Sequence, residues 1–390
     1  MRRHMVFGLS VLALLAVAVV CGPAVAQTEI VVGAVQPITG RFAFAGGHIN
    51  AGLEDSLEIA NLEGGINGKK IKYIMEDGKY QLDVATAAFK RIMSKYNPLI
   101  MYGESTGLGK AMSPEIKDRY KILYSSTSFS GELADAAANP YIFVPGPTYA
   151  DMFGVLLKYI AKEKPGAKVA FFYSDTEFGK DPIPAARQMA KDLKLDLVAE
   201  VVAAVGAVDV TSQVLSLKQK NPDYVIFQGF VVDPVQTVIK QARDFGMQCK
   251  FMGTFWGASK TIVDTLGPLA EGYMAVNPYM YWWNEDVPMI KKIREYTAKK
   301  YPDVKYRDNS YMQGFMTGLI FVECLKRADK AGQLNGEGLV KALQSIKDFD
   351  TGGLSAPLTI KNNKFPVARV WNIDVAKKIF VPASDWMTVD

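Results

Sequence analysis

The hydrophobic pattern of this chain alternates between two periods. Short runs rich in β-branched and aromatic residues recur along the chain, and stretches with helical periodicity lie between them. Strand and helix following each other in this order indicate a parallel sheet with helices on both faces. In the first part of the chain, strands are predicted at residues 29–37, 69–76, 97–104 and 120–126, and helices at roughly 48–62, 82–96 and 107–118.

The stretch NPYIFVPGPTYA, residues 139–150, interrupts this alternation with prolines and a glycine. We expect the chain to cross there from one domain to another. The alternation then resumes, and two α/β units of similar size are therefore predicted in tandem. The strands predicted for the second unit cover residues 168–175, 195–203, 222–230 and 249–255.

The remaining segments are too few to enclose a third core. Helical patterns at roughly 285–301, 309–331 and 336–346 precede the short predicted strands APLTI, ARVWNID and KKIFVP. We expect these segments to return to the two existing lobes and leave a cleft at the carboxyl ends of the sheets. The predicted fold class is α/β, with two doubly wound parallel-sheet lobes joined by a multi-strand hinge. The predicted lobes are residues 27–145 plus about 279–350, and residues 146–278 plus about 351–390.

Residues 1–26 have the features of a cleavable signal peptide. Two arginines precede an apolar run over residues 5–20, and residues 24–26 (AVA) fit the pattern that signal peptidase reads. The run is shorter than the ~20 residues that a membrane span requires. We therefore expect a periplasmic protein that begins near Gln27.

Three cysteines remain to be interpreted. Cys21 would be the site of a lipid anchor, but lipoprotein processing normally needs a small residue where this chain has Val20, so an anchor is not expected. Cys249 and Cys324 follow the signal segment. In an oxidising compartment they could form a disulfide or remain two buried thiols, and the sequence leaves both alternatives open.

Charge and motifs exclude several functions. Residues 1–26 carry two arginines and no acid, so their removal lowers the net charge from +5 to +3, too little to indicate nucleic-acid binding. There is no H-E-x-x-H, no C-x-x-C and no calcium-loop spacing, so no metal site is predicted. The first strand is not followed by G-x-G-x-x-G, and no cofactor is expected.

The segment Gly103–Gly107 matches the G-x-S-x-G pattern of a nucleophilic serine, with Ser105 between a predicted strand and a predicted helix. In that fold the histidine follows the serine, whereas His48 is the only histidine after the signal segment and precedes Ser105. A serine–lysine pair with Lys110 is the other arrangement, although a lysine on a solvated helix face is commoner. An enzyme is therefore not expected.

The same segment suits an anion. Backbone N–H groups at the start of a helix are unpaired, so Ser105, Thr106 and Gly107 could bind a carboxylate, and an ordinary serine cap is the alternative. A second polar patch, Ser125–Ser128, ends the next predicted strand and faces the same crevice. Two such patches at neighbouring strand ends favour a ligand.

Five stretches, in this order along the chain, carry a family resemblance: IVVGAVQPITG, AGLEDSLEIANLEGGINGKKIKYIMEDG, SSTSFSGEL, SDTEFGKD and FGMQCKFMGTF. They resemble the leucine/isoleucine/valine-binding protein family. GGINGKKI (Gly64–Ile71) is the most characteristic, and the likeness covers essentially the whole chain after the signal segment. The resemblance implies a type I periplasmic-binding-protein fold and a monomeric receptor that delivers a small carboxylate to an ABC permease in the inner membrane. A ligand-sensing receptor ectodomain would use the same cleft.

The resemblance also implies contact residues. In such relatives the ligand carboxylate is held at the position that matches Thr106, and the loop after the next strand adds polar contacts. Arg41 and Phe44 follow the first strand, where a cleft is expected. Arg41 could reach a carboxylate, and a solvated arginine at the rim of the cleft is the commoner alternative. The contacts that the resemblance implies are Ser105, Thr106, Thr127, Ser128 and Phe129 in the first lobe, and Phe178, Phe230 and Phe255 in the second.

Phe255 bears on the ligand class. The family's amino-acid binders place an acid at this position. Burying the ligand ammonium without an acid costs several kcal/mol, whereas a cation–π contact with an aromatic face contributes only about 0.5–2 kcal/mol. An aromatic or apolar carboxylic acid is therefore favoured. A branched-chain or aromatic amino acid is the alternative, if Asp233, Glu104 or Glu177 supplies the acid. We expect roughly three or four of seven aromatic residues to touch the ligand: Phe42, Phe44, Phe129, Phe178, Phe230, Phe255 and Trp256.

Overall fold

The computed structural model describes residues 29–231 and 233–388 of the chain. The predicted signal peptide and Cys21 lie outside the described residues. Within these ranges, no helix combines the length and the apolar character that a membrane crossing requires.

The first lobe is built on a parallel sheet with the strand order β2-β1-β3-β4-β5. Its strand β1 reads IVVGAVQ and is buried along nearly its whole length, as expected for a strand covered by helices on both faces. The strands are β1 (Ile30–Gln36), β2 (Ile71–Asp77), β3 (Ile100–Gly103), β4 (Leu123–Ser126) and β5 (Ile142–Phe143).

Six helices cover this sheet, and three of them come from the distant part of the chain. The long helices of the two groups pack closely: a Cβ atom on Gly52 would lie 2.1 Å from the carbonyl oxygen of Tyr311, so a larger residue would push the helices apart. The helices are α1 (Ala43–Leu62), α2 (Leu82–Tyr96), α3 (Thr106–Glu115), α10 (Pro288–Lys300), α11 (Asn309–Lys330) and α12 (Gly336–Gln344).

The second lobe contains a larger sheet with the order β12-β11-β10-β9-β8-β6-β7, and β13 pairs with β11. Strands β6 to β10 pair in parallel, whereas β11 runs antiparallel to β10, β12 and β13. The strands are β6 (Lys168–Ser174), β7 (Asp196–Ala203), β8 (Tyr224–Gln228), β9 (Lys250–Gly253), β10 (Met274–Asn277), β11 (Val367–Asp374), β12 (Ile379–Pro382) and β13 (Met387–Thr388).

The helices of the second lobe follow its parallel strands, as the alternating pattern predicts. Helix α4 opens the lobe with a capping box, in which Thr148 and Asp151 each accept a backbone hydrogen bond from the other residue. The helices are α4 (Tyr149–Glu163), α5 (Glu177–Lys180), α6 (Ile183–Asp192), α7 (Thr211–Lys220), α8 (Val235–Asp244) and α9 (Lys260–Leu266).

Two local predictions were wrong. Helix α1 begins at Ala43 and not near residue 48, because two glycines at positions 46 and 47 hide the helical pattern of its first turn. The stretch APLTI forms only an isolated bridge, in which Leu358 pairs with Phe349.

Three segments connect the lobes: residues 144–148, 278–287 and 345–366. They are joined to one another, since the N–H of Val144 donates to the Asn363 carbonyl at 3.0 Å and the Tyr279 hydroxyl donates to the Pro145 carbonyl at 2.9 Å. The chain therefore has the multi-strand connection that was predicted. The exact lobe boundaries remain a prediction.

Both cysteines of the described residues are free and buried. Cys324 lies on α11 in the core of the first lobe, and Cys249 lies in the core of the second lobe. Burial raises the pKa of both thiols. Of the two alternatives for these residues, the structure has two separate thiols.

Candidate ligand-binding site

A small cavity lies between the two lobes. It sits at the carboxyl ends of the first-lobe strands, which is where ligands bind in open α/β sheets. Within the described residues, no lysine, arginine or histidine lines it. The first lobe contributes Pro37, Phe42, Ala45, Gly46, Ile49, Tyr80, Glu104, Thr106 and Thr127, and the second lobe contributes Tyr149, Phe178, Val231 and Trp256.

The turn from β3 to α3 contains three residues that were considered as ligand contacts, and two of them line the cavity. Ser105 is the N-cap of α3, and its Oγ accepts a hydrogen bond from the Leu108 N–H at 3.1 Å. Thr106 is the first residue of the helix and lines the cavity, as does Glu104. Ser105 itself is not part of the lining.

The polar corner of the cavity is held together by hydroxyl groups. Thr106 Oγ1 and Ser128 Oγ lie 2.7 Å apart, and Ser128 Oγ also accepts the Ser130 N–H at 3.1 Å. Because Ser128 can donate its proton to Thr106, the Thr106 proton can point at a ligand oxygen. Thr127 lines the cavity beside them, while Ser128 lies behind Thr106.

Glu104 is the single acid of the lining, and its side chain is almost completely buried, at 1% exposure. Its Oε2 accepts the Tyr80 N–H at 3.2 Å. The carboxyl group also presses against the loop after β2, since a Cβ atom on Gly78 would lie 2.2 Å from Oε2. Burial raises the pKa of Glu104 to about 7, the Tyr80 hydrogen bond opposes this rise, and the charge of Asp77 adds to it.

The wall from the second lobe is aromatic. The Trp256 Nε1–H donates to the Tyr149 hydroxyl at 3.1 Å, and the Phe178 ring lies 5.0 Å from the Tyr149 ring, centroid to centroid. Across the cavity, the rings of Phe42 and Tyr80 lie 3.9 Å apart. Aromatic faces from both lobes therefore enclose the apolar part of the cavity.

Three of the predicted phenylalanines pack in the core and not in the lining. Phe129 and Phe255 are fully buried behind it, with their rings 5.0 Å apart, and Phe129 also packs edge-on against Tyr149. Phe230 packs on Phe172 at 5.7 Å inside the core of the second lobe.

Arg41, Phe44 and Asp233 lie farther out and line an open groove between the lobes. The Arg41 guanidinium stacks on the rings of Phe42 and Tyr80 at 5.8 and 5.7 Å, so it covers the outer side of the cavity wall. Phe44 also lines a neighbouring opening with His48 and Asp308. Burial lowers the pKa of His48, and the charge of Asp308 opposes this.

Lys110 lies at the rim of the cleft and is paired with two acids. Its Nζ lies 2.6 Å from Glu132 and 2.9 Å from Glu177, which belongs to the opposite lobe. Burial opposes the charged form of Lys110, but the two hydrogen bonds raise its pKa overall. The hydrogen bond to Lys110 lowers the pKa of Glu177.

Polar contacts across the cleft hold the lobes together. Asp181, at the end of α5, accepts hydrogen bonds from the Ser130 hydroxyl and, at 3.1 Å, from the Gly131 N–H. On the other side of the cavity, the Asn309 side chain donates to the Phe255 carbonyl at 3.1 Å. The structure is therefore a closed form of the two lobes.

Sequence reasoning passed over Tyr80, Tyr149, Ile49 and Val231 and considered Glu104 only as an alternative acid. For Tyr149 a signal was present: Thr148-x-x-Asp151 is a capping-box pattern, and it places Tyr149 at the first position of a helix after the crossing between lobes. Tyr80 lies in a loop with a positive φ of 56°, which no hydrophobic pattern marks.

Known proteins resemble this chain over most of its length. A family model described as "Periplasmic binding protein" matches residues 29–378. The chain is 26% identical over 368 residues to the Leu/Ile/Val-binding protein homolog 7 of Brucella suis, which covers 90% of this chain and 88% of that protein. It is 24% identical over 293 residues to the Leu/Ile/Val-binding protein of Escherichia coli K12, covering 70% and 74%.

Solved structures share the fold. A branched chain amino acid ABC transporter protein from Thermus thermophilus with bound valine has a TM-score of 0.84 and 24% identity, covering 93% of this chain and 97% of that chain. A fatty acid ABC transporter substrate-binding protein from Thermomonospora curvata has a TM-score of 0.80 and 22% identity, covering 95% of both chains. The predicted fold class and the family resemblance are confirmed.

Proposed function

The chain belongs to the periplasmic binding protein family, and on this premise we propose that it is a periplasmic receptor that closes on a small carboxylic acid with an aromatic or apolar body and presents it to an ABC permease. One observation carries the proposal: the cavity joins Thr106 at the start of a helix and Thr127 after the neighbouring strand to a wall of aromatic rings from both lobes.

The head-group end suits an anion that has no cationic partner. Thr106 is the first residue of α3, where unpaired N–H groups and the helix dipole favour negative charge. Thr106 adds a hydroxyl donor, and Thr127, whose hydroxyl donates to Gln36 Oε1 at 3.4 Å, lines the cavity beside it. Ser105 and Ser128 support this corner from behind, because one caps the helix and the other bonds Thr106.

The rest of the cavity suits an apolar body. Phe178, Trp256 and Phe42 are members of the lining, and a few polar groups in a mostly apolar cavity are typical of small-molecule sites. Valine and fatty acids, named for two similar structures, both combine a carboxyl group with an apolar body.

Closure supplies the mechanism. A ligand on the first lobe gains contacts with Tyr149, Phe178 and Trp256 only when the lobes close, and this difference in affinity shifts the equilibrium to the closed form. Such a receptor needs no covalent chemistry. The permease would then recognise the closed surface.

Uptake of an amino acid is the second candidate, and Glu104 favours it. This acid lines the cavity, whereas Asp233 lies in the outer groove and Glu177 is paired with Lys110 at the rim. An ionised Glu104 could therefore pair with a ligand ammonium, which the position of Phe255 cannot do.

A matched ligand panel tests the proposal. The chain from residue 27 to 390 is unfolded, refolded to remove any bound ligand, and heated with benzoate, 3-phenylpropanoate and 4-methylpentanoate, and with phenylalanine and leucine. A ligand that binds only the native state raises the melting temperature. We expect the acids to raise it more than their amino counterparts. A shift with the amino acids alone would support the second candidate, and no shift with any compound would contradict the proposed function.

A further inference from the structure

The described lining of the cavity contains one acidic side chain and no basic side chain. This combination determines how the cavity can bind the carboxyl group of a ligand. Resting on the proposed function, we propose that Glu104 binds the ligand carboxylate in its protonated form and donates a hydrogen bond to it. The receptor would then take up one proton from solvent with each carboxylate that it binds.

Glu104 lies next to the predicted head-group position. It stands between the end of β3 and the start of α3, two residues before Thr106, and Thr127 follows the neighbouring strand β4. All three side chains line the same cavity. A carboxylate that is held at Thr106 therefore lies against the Glu104 carboxyl group.

The charges around Glu104 would not compensate two anions. On the first lobe it faces the like charge of Asp77, the neutral phenols of Tyr80 and Tyr124, and Arg41 only beyond the Tyr80 ring. On the second lobe Tyr149 lines the cavity, with Asp181 behind it. Two carboxyl groups that share such a site hold a proton between them, because like charges at close range cannot both ionise easily.

Protonation of Glu104 costs little free energy at neutral pH. In the closed form burial raises its pKa to about 7, so about half of the closed receptors without ligand carry this proton at pH 7. A bound carboxylate adds a second negative charge, like that of Asp77, and raises the pKa further. Binding therefore draws a proton from solvent at pH values between the pKa of the empty site and that of the complex.

The structure also assigns the proton to one oxygen. The only hydrogen bond found for this carboxyl group within the described residues comes from the Tyr80 N–H to Oε2. Because an N–H group needs an acceptor, Oε2 stays unprotonated and Oε1 carries the proton. A glutamine at this position can imitate the protonated acid, with its carbonyl oxygen toward Tyr80 and its amide N–H groups toward the ligand.

A ligand ammonium would reverse the role of this residue. It would pair with ionised Glu104, so binding would release a proton or exchange none, and it would weaken as the pH falls. The hydroxyl groups of the lining are good donors for a carboxylate, but an ammonium requires acceptors for all of its N–H groups. The sign of the proton exchange therefore separates the two ligand classes.

The test is isothermal titration calorimetry with the tightest-binding acid of the panel, in two buffers of different ionisation enthalpy, between pH 6 and 8.5. The intact receptor should take up close to one proton at pH 8, and its dissociation constant should rise about tenfold per pH unit above the pKa of the empty site. Glu104→Gln should abolish the uptake, flatten the pH profile and bind more tightly than the wild type at pH 8.5, by about 30-fold. The wild-type measurement does not depend on whether the variant folds.

Two control variants remove acids of the second lobe that form contacts across the cleft. Glu177→Gln and Asp181→Asn should both retain the proton uptake, because neither side chain lines the cavity. Binding of an acid without proton uptake, or uptake that persists in Glu104→Gln, would overturn this inference and leave the proposed function intact. If no acid of the panel binds, the proposed function fails as well.

Discussion

At the scale of single residues, Ser105 and Thr106 carry hydroxyl groups with different roles: one stabilises the helix, and the other can contact a ligand. Ser105 caps α3 and is outside the cavity, whereas Thr106 lines it. Thr106→Val removes the hydroxyl but keeps the shape of the side chain. We expect it to weaken acid binding by about 10- to 100-fold, because one hydrogen bond to a charged group contributes about 1.5–3 kcal/mol.

Ser105→Ala is the matched control for this prediction. Loss of a serine N-cap costs about 1 kcal/mol of stability, so this variant should melt earlier and bind the acid nearly as well as the wild type. Calorimetric titration and thermal unfolding of both variants check the pair. Equal losses of affinity in the two variants would show that the turn as a whole, and not the Thr106 hydroxyl, holds the ligand.

The Glu104 carboxyl group should also make the free energy of unfolding of the ligand-free protein depend on pH. Its pKa is about 7 in the folded protein and 4.5 in the unfolded chain, so the folded state binds more protons between these values. Protonated Glu104 therefore contributes its full share to the free energy of unfolding below about pH 4.5. This contribution, about 3 kcal/mol in all, is lost as the pH rises to about 7. Glu104→Gln should remove this loss.

Urea unfolding of the wild type and Glu104→Gln at pH 5 and pH 8 measures the effect. The variant should gain up to about 3 kcal/mol relative to the wild type on going from pH 5 to pH 8, since glutamine does not titrate. Other groups are common to both proteins and cancel in the difference. Parallel pH dependence of the two proteins would mean that Glu104 is not desolvated as the structure has it.

The sequence predicted the location of the cavity better than its individual lining residues. Thr106, Thr127 and Phe178 were named through the family resemblance and lie in the lining. Tyr80 and Tyr149 were not named, because a hydrophobic pattern tells which side of a helix is buried but not which side chain spans a cleft. Phe129 and Phe255 are buried behind the wall, and composition alone cannot distinguish a core ring from a cavity ring.

At the scale of elements, substitutions of two phenylalanines, each of which follows a strand of the second lobe, can show which strand end faces the ligand. Phe178 lies on α5 after β6 and lines the cavity, whereas Phe230 follows β8 and packs in the lobe core. We expect Phe178→Leu to weaken binding of benzoate or 3-phenylpropanoate by about 5- to 10-fold with little change in melting temperature, since an aromatic contact contributes about 0.5–1.5 kcal/mol beyond its area.

Phe230→Leu provides the contrast. It should lower the free energy of unfolding by about 1–2 kcal/mol, as shape changes in a packed core do, and leave the dissociation constant within about twofold. Binding and urea unfolding, measured on the same preparations, separate the two effects. Loss of affinity in Phe230→Leu alone would place the ligand elsewhere in the second lobe.

The order and type of most elements followed from the periodicity, but the orientation of the last strands did not. β11 and β12 alternate buried and half-buried positions in the same way whether they pair in parallel or antiparallel fashion, so the pattern could not distinguish the two arrangements. Orientation is fixed by the return of the chain from α12, which is a property of the connections between lobes.

At the scale of the whole molecule, closure depends on contacts that no local pattern reveals. Asp181 and its partners Ser130 and Gly131 are about fifty residues apart in sequence and belong to opposite lobes. Burial raises the pKa of Asp181, and the two hydrogen bonds partly offset this. The contact therefore exists only in the closed form and contributes to the closing equilibrium.

Asp181→Asn should shift that equilibrium toward the open form. An amide cannot accept the Gly131 N–H as strongly as a carboxylate, and the loss of a hydrogen bond to a charged group costs about 1.5–3 kcal/mol. If the empty receptor is mostly open, acid affinity should fall by about 10- to 100-fold, because the binding-competent fraction falls by the same factor. Small-angle X-ray scattering should show the variant at saturating ligand with the same radius of gyration as the wild type.

Glu177→Gln is the appropriate comparison, since it also removes a charge from a contact across the cleft. The Glu177 side chain is 59% exposed in its pair with Lys110, and exposed ion pairs contribute only about 0–1 kcal/mol. Its affinity should therefore fall by less than about fivefold. A larger loss in Glu177→Gln than in Asp181→Asn would mean that the rim, and not the buried Asp181 contact, controls closure. If both variants bind as the wild type does, polar contacts at the cleft do not limit closing, and the ligand itself must supply the difference in free energy.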